Sequence, residues 1–167
     1  MGAEEEARFA RLVHEHFGAV GNYIRRRLYP LTASDVDDLV EETMIVVWRR
    51  LDRVPEDAEL PWMLGVARNV LRNARRSKTR RSTVEARLAP TGDAASAEEH
   101  VVADESMRQA LAALSEDDRE ILLLNAWDGL DTHALGAYFV ISTNAAAVRL
   151  SRAQHRFREF LGDAQVP

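Results

Sequence analysis

The amino-acid sequence predicts an all-α protein built from two small helical domains that a flexible linker joins. Apolar residues recur at spacings of three and four along most of the chain, which is the period of a helix with one buried face. Residues 89–105 break this period and are rich in Pro, Gly, Ala, Ser and acidic residues, as flexible linkers are. The sequence therefore predicts helical domains at residues 1–88 and 106–167.

The composition excludes several classes of protein. A length of 167 residues with 46% hydrophobic residues is enough for packed cores. The absence of Cys excludes disulfides and thiolate zinc sites. No apolar run approaches the roughly 20 residues that span a bilayer, and the acidic start of the chain is unlike a signal peptide. We therefore expect a cytoplasmic protein with no membrane insertion.

An enzyme is one alternative, and the sequence does not favour it. The five His residues are scattered, and His14 and His16 lie on different faces of a helix. The sequence contains neither a Gly-rich phosphate loop nor the HExxH spacing of a metalloprotease. We therefore predict no catalytic residues, no cofactor, no metal site and no small-molecule substrate.

Three helices are predicted in the first domain. The second is expected to begin at Ser34, whose hydroxyl can cap it, and the third near Pro61, whose missing N–H is harmless in a first turn. The predicted buried stripe of the first helix is Phe9, Leu12, Val13, Phe17, Val20, Ile24 and Leu28. The stripe of the second is Val36, Leu39, Val40, Val47, Trp48 and Leu51, and that of the third is Met63, Val66, Ala67, Val70, Leu71 and Ala74.

Charge is distributed unevenly along the chain. The net charge of −5 argues against a nucleic-acid partner, but residues 60–88 hold eight basic residues and one acidic residue. On the third helix, basic and amide side chains lie opposite the apolar stripe, at Arg68, Asn69, Arg72, Arg76 and Arg80. This face is a candidate nucleic-acid surface, although an ordinary solvated helix surface would show the same pattern.

The second domain ends in a helix-turn-helix pattern. A short helix at residues 107–114 precedes a helix that Ser115 caps and Gly129 ends. A short helix near residues 132–138, a turn at 139–141 and a long helix capped by Ser142 follow. The long helix is predicted to bury Ala146, Leu150, Ala153, Phe157 and Leu161 and to expose Asn144, Ala147, Val148, Ser151, Arg152 and His155.

These stretches, in this order, resemble the extracytoplasmic function group of bacterial sigma-70 family sigma factors over nearly the whole chain. The resemblance lies in residues 35–52 (DVDDLVEETMIVVWRRLD), in 60–70 (LPWMLGVARNV) with Arg72, Arg75 and Arg76, in 113–124 (ALSEDDREILLL), in 128–130 (DGL) and in 148–153 (VRLSRA). It implies sigma region 2 in the first domain and sigma region 4 in the second. It also implies an alternative sigma factor that binds core RNA polymerase and directs promoter recognition and transcription initiation, with an anti-sigma factor as a further partner.

The resemblance assigns two surfaces to the first domain. The face that docks on the clamp helices of the largest polymerase subunit would be Asp38, Glu41, Glu42, Ile45 and Arg49, although an ordinary acidic helix surface would look the same. The residues that meet minus-ten DNA would be Arg53, Trp62, Arg68, Asn69, Arg72, Asn73, Arg76 and Arg80. Trp62 is either a platform for a stacked base or a core residue.

The loop at residues 53–60 is where the family captures a base flipped from the opened strand. Here Glu56, Asp57 and Glu59 are acidic and should repel phosphates. A captured base would therefore be held mainly by backbone groups and shape.

In the second domain, the residues implied to meet minus-thirty-five DNA are Ser142, Asn144, Ala147, Val148, Arg149, Ser151, Arg152 and His155. The sequence departs from the family here, because Ala147 and Val148 stand where Lys or Arg followed by Ser is common. Few donors then reach the groove, and guanine readout is limited to Arg152. We expect an unusual minus-thirty-five preference, or contacts made mainly to the polymerase flap or to a regulator.

Two further alternatives stay open at this point. A helix-turn-helix regulator that binds duplex DNA without polymerase would account for residues 115–161 but not for the basic third helix. A degenerate sigma-like protein that acts through protein contacts alone is compatible with Ala147 and Val148.

Overall fold

The computed structural model describes residues 2–86 and 105–164, and within these ranges it contains seven α-helices and no strand. The all-α prediction is confirmed. The helices are α1 (Ala3–Arg25), α2 (Val36–Arg49), α3 (Glu59–Ala86), α4 (Glu105–Ala113), α5 (Glu116–Ala126), α6 (Thr132–Phe139) and α7 (Thr143–Ala164). Short 3-10 turns at Ala33–Asp35 and Leu51–Arg53 precede and follow α2. None of the helices described is long and apolar enough to cross a membrane.

The helices fall into two compact units, which we call the N-terminal unit (α1 to α3) and the C-terminal unit (α4 to α7). The predicted linker lies outside the described residues except for Glu105, which begins α4. The domain boundaries at residues 88 and 106 therefore stay predictions.

The N-terminal unit is a bundle in which each of its three helices packs on the other two. Its fully buried side chains include Leu12, Tyr23, Val47, Met63 and Leu71. Trp48 of α2 packs edge-on against Phe9 of α1, with 4.8 Å between the ring centroids. The stripes predicted for α2 and α3 lie in this core except at Trp48 and Ala74, which are half-buried.

The stripe predicted for the first helix is wrong at two positions. Phe17 is 51% exposed, because it lies about 60° around the helix from Val20, at the edge of the buried face. Leu28 is half-buried but follows α1, which ends at Arg25. Tyr23, which was not predicted, is buried beside Ile24 instead.

The predicted start of the second helix is also wrong. A 3-10 turn precedes α2, so the capping position lies two residues earlier, at Thr32 rather than Ser34. The Thr32 backbone N–H and hydroxyl both donate to the Asp35 carboxylate, at 2.8 and 2.9 Å. Both hydrogen bonds lower the pKa of the Asp35 carboxyl below its usual range, and the backbone hydrogen bond has the larger effect. The third helix begins at Glu59, so Pro61 lies in its first turn, as predicted.

The C-terminal unit packs α4, α5 and α6 against α7, around Ile121, Leu124, Leu135, Ala146 and Ala153. The predicted caps of α5 are confirmed: the Ser115 hydroxyl accepts from the Asp118 N–H at 3.1 Å, and Gly129 follows the helix with φ +71°. In addition, the Arg119 guanidinium donates to the carbonyl of Leu111 at 2.8 Å. This bond ties α5 to the last turn of α4.

Candidate nucleic-acid interface

The outward face of α2 is formed by the five residues predicted to dock on polymerase. Asp38, Glu41, Glu42, Ile45 and Arg49 are all exposed, and Ile45 is 41% exposed between charged neighbours. The opposite face is buried. There the Thr43 hydroxyl donates to the Leu39 carbonyl at 2.7 Å, so this buried hydroxyl has a hydrogen-bond partner. The helix therefore presents one continuous face of mixed charge around an apolar centre.

The polar face of α3 lies opposite its buried residues, as the sequence predicts. Asn69, Asn73, Arg76 and Arg80 are exposed on this face. Arg68, Arg72 and Trp62 are half-buried, so Trp62 is neither fully buried in the core nor a fully exposed platform. Arg53 lies exposed in the 3-10 turn that enters the loop before α3.

Arg75 belongs to the basic run of α3 but has a structural role. Its guanidinium donates to the carbonyl of Arg27, just beyond the end of α1. The Arg27 side chain in turn lies over the Tyr23 ring, 3.8 Å from its centroid. Arg75 thus fastens α3 to the chain leaving α1, and we do not count it in the nucleic-acid surface.

Two arginines of α1 that the sequence does not single out hold the loop at residues 53–60. Arg8 donates to the carbonyls of Leu51 and Val54, at 3.1 and 2.7 Å. Arg11 pairs with Glu59 through two hydrogen bonds, at 3.0 and 2.6 Å. The loop is therefore fixed to α1 at both its ends.

This ion pair corrects the expectation that Glu59 repels phosphates, because its charge is already matched. The Arg11 hydrogen bonds hold the pKa of the Glu59 carboxyl below its usual range, and Glu59 in turn raises the pKa of Arg11. No spacing in the sequence could have indicated this pair, because its members are 48 positions apart.

Glu15, His16 and Glu59 resemble a set of metal ligands, since their ligand atoms lie within 4.8 Å of one another. However, Arg11 donates to both carboxylates, at 3.1 Å to Glu15 and 2.6 Å to Glu59. A guanidinium already supplies the positive charge at this place, so we interpret the cluster as an ion-pair network.

The turn between α6 and α7 has an unusual backbone. Val140 adopts a left-handed conformation (φ 56°, ψ 47°) and is 89% exposed. Gly136 lies so close to this turn that a Cβ added there would be 2.9 Å from the Ile141 carbonyl oxygen. The Ser142 hydroxyl accepts from the Ala145 N–H at 3.1 Å, which confirms the predicted cap of the long helix.

The predicted recognition face of α7 is mostly exposed. Ser142, Asn144, Val148, Ser151, Arg152 and His155 are exposed, whereas Ala147 and Arg149 are half-buried. Arg149 donates to Asp117 of α5 at 3.0 Å, and its guanidinium lies 4.8 Å from the centroid of the Phe139 ring. No local pattern in the sequence indicates these two partners.

Comparisons with known proteins identify relatives of this chain. Residues 12–81 match the family model for sigma-70 region 2. The RNA polymerase sigma factor CarQ of Myxococcus xanthus is 30% identical over 163 residues, which cover 95% of this chain and 91% of that protein.

Two solved structures share the fold. CnrH in complex with the cytosolic domain of CnrY aligns with a TM-score of 0.59 at 23% identity, covering 95% of this chain and 89% of that one. The sigma factor RpoE in complex with the anti-sigma factor NepR from Bartonella quintana also has a TM-score of 0.59, at 21% identity, covering 92% of this chain and 96% of that one.

The match to sigma-70 region 2 and the 30% identity to CarQ over most of both chains define this chain as a sigma factor, a class of transcription initiation factor. The chain belongs to the sigma-70 family, as a sigma factor of the extracytoplasmic function group. It is therefore an alternative RNA polymerase sigma factor, as the sequence analysis expected.

Proposed function

We propose that this sigma factor binds core RNA polymerase through α2, meets minus-ten DNA through α3 and meets minus-thirty-five DNA through α7, acting in the cytoplasm. In this division the N-terminal unit serves as sigma region 2 and the C-terminal unit as sigma region 4. The observation that carries the proposal is the exposed polar face of α3, inside the stretch that matches sigma-70 region 2.

Docking on the clamp helices is supported by the character of the α2 face. Interfaces combine an apolar centre with a polar rim, and Ile45 is flanked by Glu41, Glu42 and Arg49 on the exposed side of the helix. The buried side of the same helix is fixed in the core by Val40 and Val47. A rigid helix whose outward face is preformed loses little conformational entropy on binding.

Contact with minus-ten DNA is supported by the donors on α3. Arginine side chains bind phosphate oxygens in a forked geometry, and asparagines donate to and accept from base edges. Arg76 and Arg80 extend along the helix from Asn69 and Asn73, so one face offers both kinds of contact. The loop before α3 is fixed to α1 by Arg8 and Arg11, which suits a pocket that captures a base by shape.

Contact with minus-thirty-five DNA is supported by the helix-turn-helix formed by α6 and α7. Arg152 is exposed on the outward face of α7, together with Asn144 and Val148. Arg152 would donate to a guanine or a phosphate, and Val148 would contact a thymine methyl group. The flap of the polymerase would be a further partner of this unit.

An anti-sigma factor is proposed as a regulatory partner. RpoE, which shares the fold, was solved in complex with the anti-sigma factor NepR. Such a partner would lower transcription by the present chain when it is added to the reaction.

Run-off transcription with core polymerase on genomic fragments tests the proposal as a whole. We expect discrete transcripts that depend on the added chain, and the start sites reveal the promoter sequences. Substitution of Arg76 and Arg80 by Gln should reduce these transcripts and weaken the salt dependence of promoter binding, because fewer phosphates are neutralised. Transcripts that are absent with the unmodified chain would refute the proposal.

A second candidate is favoured by the exposed apolar residues of the helix-turn-helix. Val140 and Val148 are 89% and 43% exposed, and Ala147 adds no donor. The C-terminal unit would then act mainly through protein contacts. In that case run-off transcription would not change when the minus-thirty-five sequence of the template is scrambled.

A further inference from the structure

Three basic residues of α7 follow one another at spacings of three and four, so they lie along one side of the helix. Arg149, Arg152 and Arg156 line a depression of about 530 Å³, together with Asp118 from the first turn of α5. This depression lies on the side of the unit that also carries Val148, one of the predicted DNA-reading residues.

Carboxylates of α5 already bind two of these three arginines. Arg149 donates to Asp117 at 3.0 Å, and Arg156 donates to Asp118. Arg152 makes no such ion pair among the residues that the structure describes. A carboxylate and a phosphate accept the same forked hydrogen bonds from a guanidinium, so each α5 carboxylate competes with DNA for its arginine.

The two ion pairs differ in how easily DNA could displace the carboxylate. Both carboxylates stand in the first turn of α5, where their charge complements the helix dipole, but the Asp118 side chain is only 10% exposed. The side chains of Asp117 and Arg149 are 49% and 33% exposed. Exposed ion pairs contribute little stability, so the pair of Asp117 and Arg149 can open at modest cost.

We infer that Asp117 is a positioning residue that holds Arg149 away from DNA phosphates and thereby weakens promoter binding by α7. The inference rests on the proposed contact of α7 with minus-thirty-five DNA. Asp117 acts through Arg149, because removing the carboxylate charge removes this ion pair. The ion pair between Asp117 and Arg149 would therefore limit the affinity of α7 for promoter DNA.

The test is Asp117→Asn, which removes the charge with little change of shape. Holoenzyme is assembled from core polymerase and the full chain, and its affinity for a promoter fragment recovered by run-off transcription is measured over a range of KCl concentrations. We expect roughly two- to fivefold tighter binding at low salt, because the strength of an exposed ion pair is of this order. The slope of log affinity against log salt should steepen by about 0.9, the value for one additional neutralised phosphate.

Two controls separate release of Arg149 from a general change of charge. Glu116→Gln removes the same charge one residue away, at an exposed position, and should raise the affinity much less. In an Arg149→Gln background, Asp117→Asn should no longer steepen the salt slope.

Each result decides the inference. Equal gains in promoter affinity from Asp117→Asn and Glu116→Gln would overturn it. A gain from Asp117→Asn that persists in the Arg149→Gln background would also overturn it. So would an Asp117→Asn chain whose promoter affinity equals that of the unmodified chain. None of these results affects the proposed function, provided that the unmodified chain yields transcripts. A chain that yields no transcripts would overturn the proposed function and the inference together.

Discussion

Arg11 of α1 and Glu59 of α3 form a two-point ion pair that joins α1 to the helix that we propose to meet minus-ten DNA. The two hydrogen bonds measure 3.0 and 2.6 Å, and His16 lies 3.5 Å from the same carboxylate. Since Arg8 binds the other end of the same loop, the placement of α3 depends on α1 side chains that themselves need not touch DNA.

Stability that depends on this pair should vary with pH. Because the pKa of Glu59 is lower in the folded protein than in the unfolded chain, its contribution is fully present above the unfolded value and is lost as pH falls through the folded one. We expect Glu59→Gln to lower the urea midpoint of unfolding at pH 7, and the difference from the unmodified protein to shrink progressively below about pH 4. A difference that is the same at pH 7 and pH 3 would contradict this account.

Backbone strain at Val140 predicts a stabilising substitution. A β-branched residue in the left-handed region costs about 1–2 kcal/mol, and Gly adopts this conformation without that cost. Val140→Gly should therefore raise the free energy of unfolding by about 1 kcal/mol, as measured by denaturant titration. Val148→Gly is the matched control, since this exposed valine lies inside α7 and its replacement should lower stability by roughly 0.3–0.5 kcal/mol. Loss of stability in Val140→Gly would show that the side chain makes a favourable contact.

The buried hydrogen bond between Tyr138 and Glu120 is expected to stabilise the C-terminal unit. The Tyr138 hydroxyl donates to Glu120 Oε1 at 2.8 Å, and both residues are buried. Tyr138→Phe removes one donor from a buried carboxylate, so we expect a loss of about 1–3 kcal/mol in thermal or denaturant unfolding. Tyr29→Phe serves as the control, because Tyr29 is 74% exposed and should tolerate the change. An equal effect of the two substitutions would refute the assigned role.

The α2 face predicts a charge-swap experiment. Exchanging two charges through Glu42→Arg and Arg49→Glu keeps the net charge and the buried side of the helix. If this face docks on the clamp helices, each exchanged charge would then meet a polymerase group suited to the opposite charge. We expect core polymerase to be lost from a pull-down while circular dichroism is unchanged. Glu4→Arg, on the exposed first turn of α1, alters the net charge but should retain the polymerase. Binding that survives the swap would exclude this face as the docking surface.

Arg152 is the residue of α7 whose loss should affect promoter recognition most. Arg152→Ala should reduce promoter binding. If Arg152 reads a guanine, the loss should be about 1–3 kcal/mol, and it should vanish on a template in which that guanine is replaced. If it binds a phosphate, the loss should be uniform across templates and the salt slope should fall by about 0.9. Arg158→Ala, also exposed on α7 but outside the lined depression, should leave binding intact. Full retention of open complexes in Arg152→Ala would count against DNA reading by α7.

The local features of this protein were determined by the sequence itself. Periodic apolar residues such as Val47 and Leu71 identified the buried faces. Ser115, Gly129 and Ser142 identified helix ends, because a helix cap needs a hydrogen-bonding side chain or a flexible backbone within about four residues of the end. The exposed faces of α2 and α3 followed from the same periodicity. At Thr32 this reasoning failed by two residues, since a 3-10 turn extended the segment ahead of Ser34.

The tertiary structure alone decided which charges meet. Sequence showed that Arg11, Glu59, Asp117 and Arg149 are polar and near helix surfaces, but the pairs they form span 48 and 32 positions. Which partner a long charged side chain finds depends on how helices pack, and no local pattern encodes that geometry. For the same reason, a count of arginines does not show that Arg75 of α3 and Arg149 of α7 bind partners within the protein.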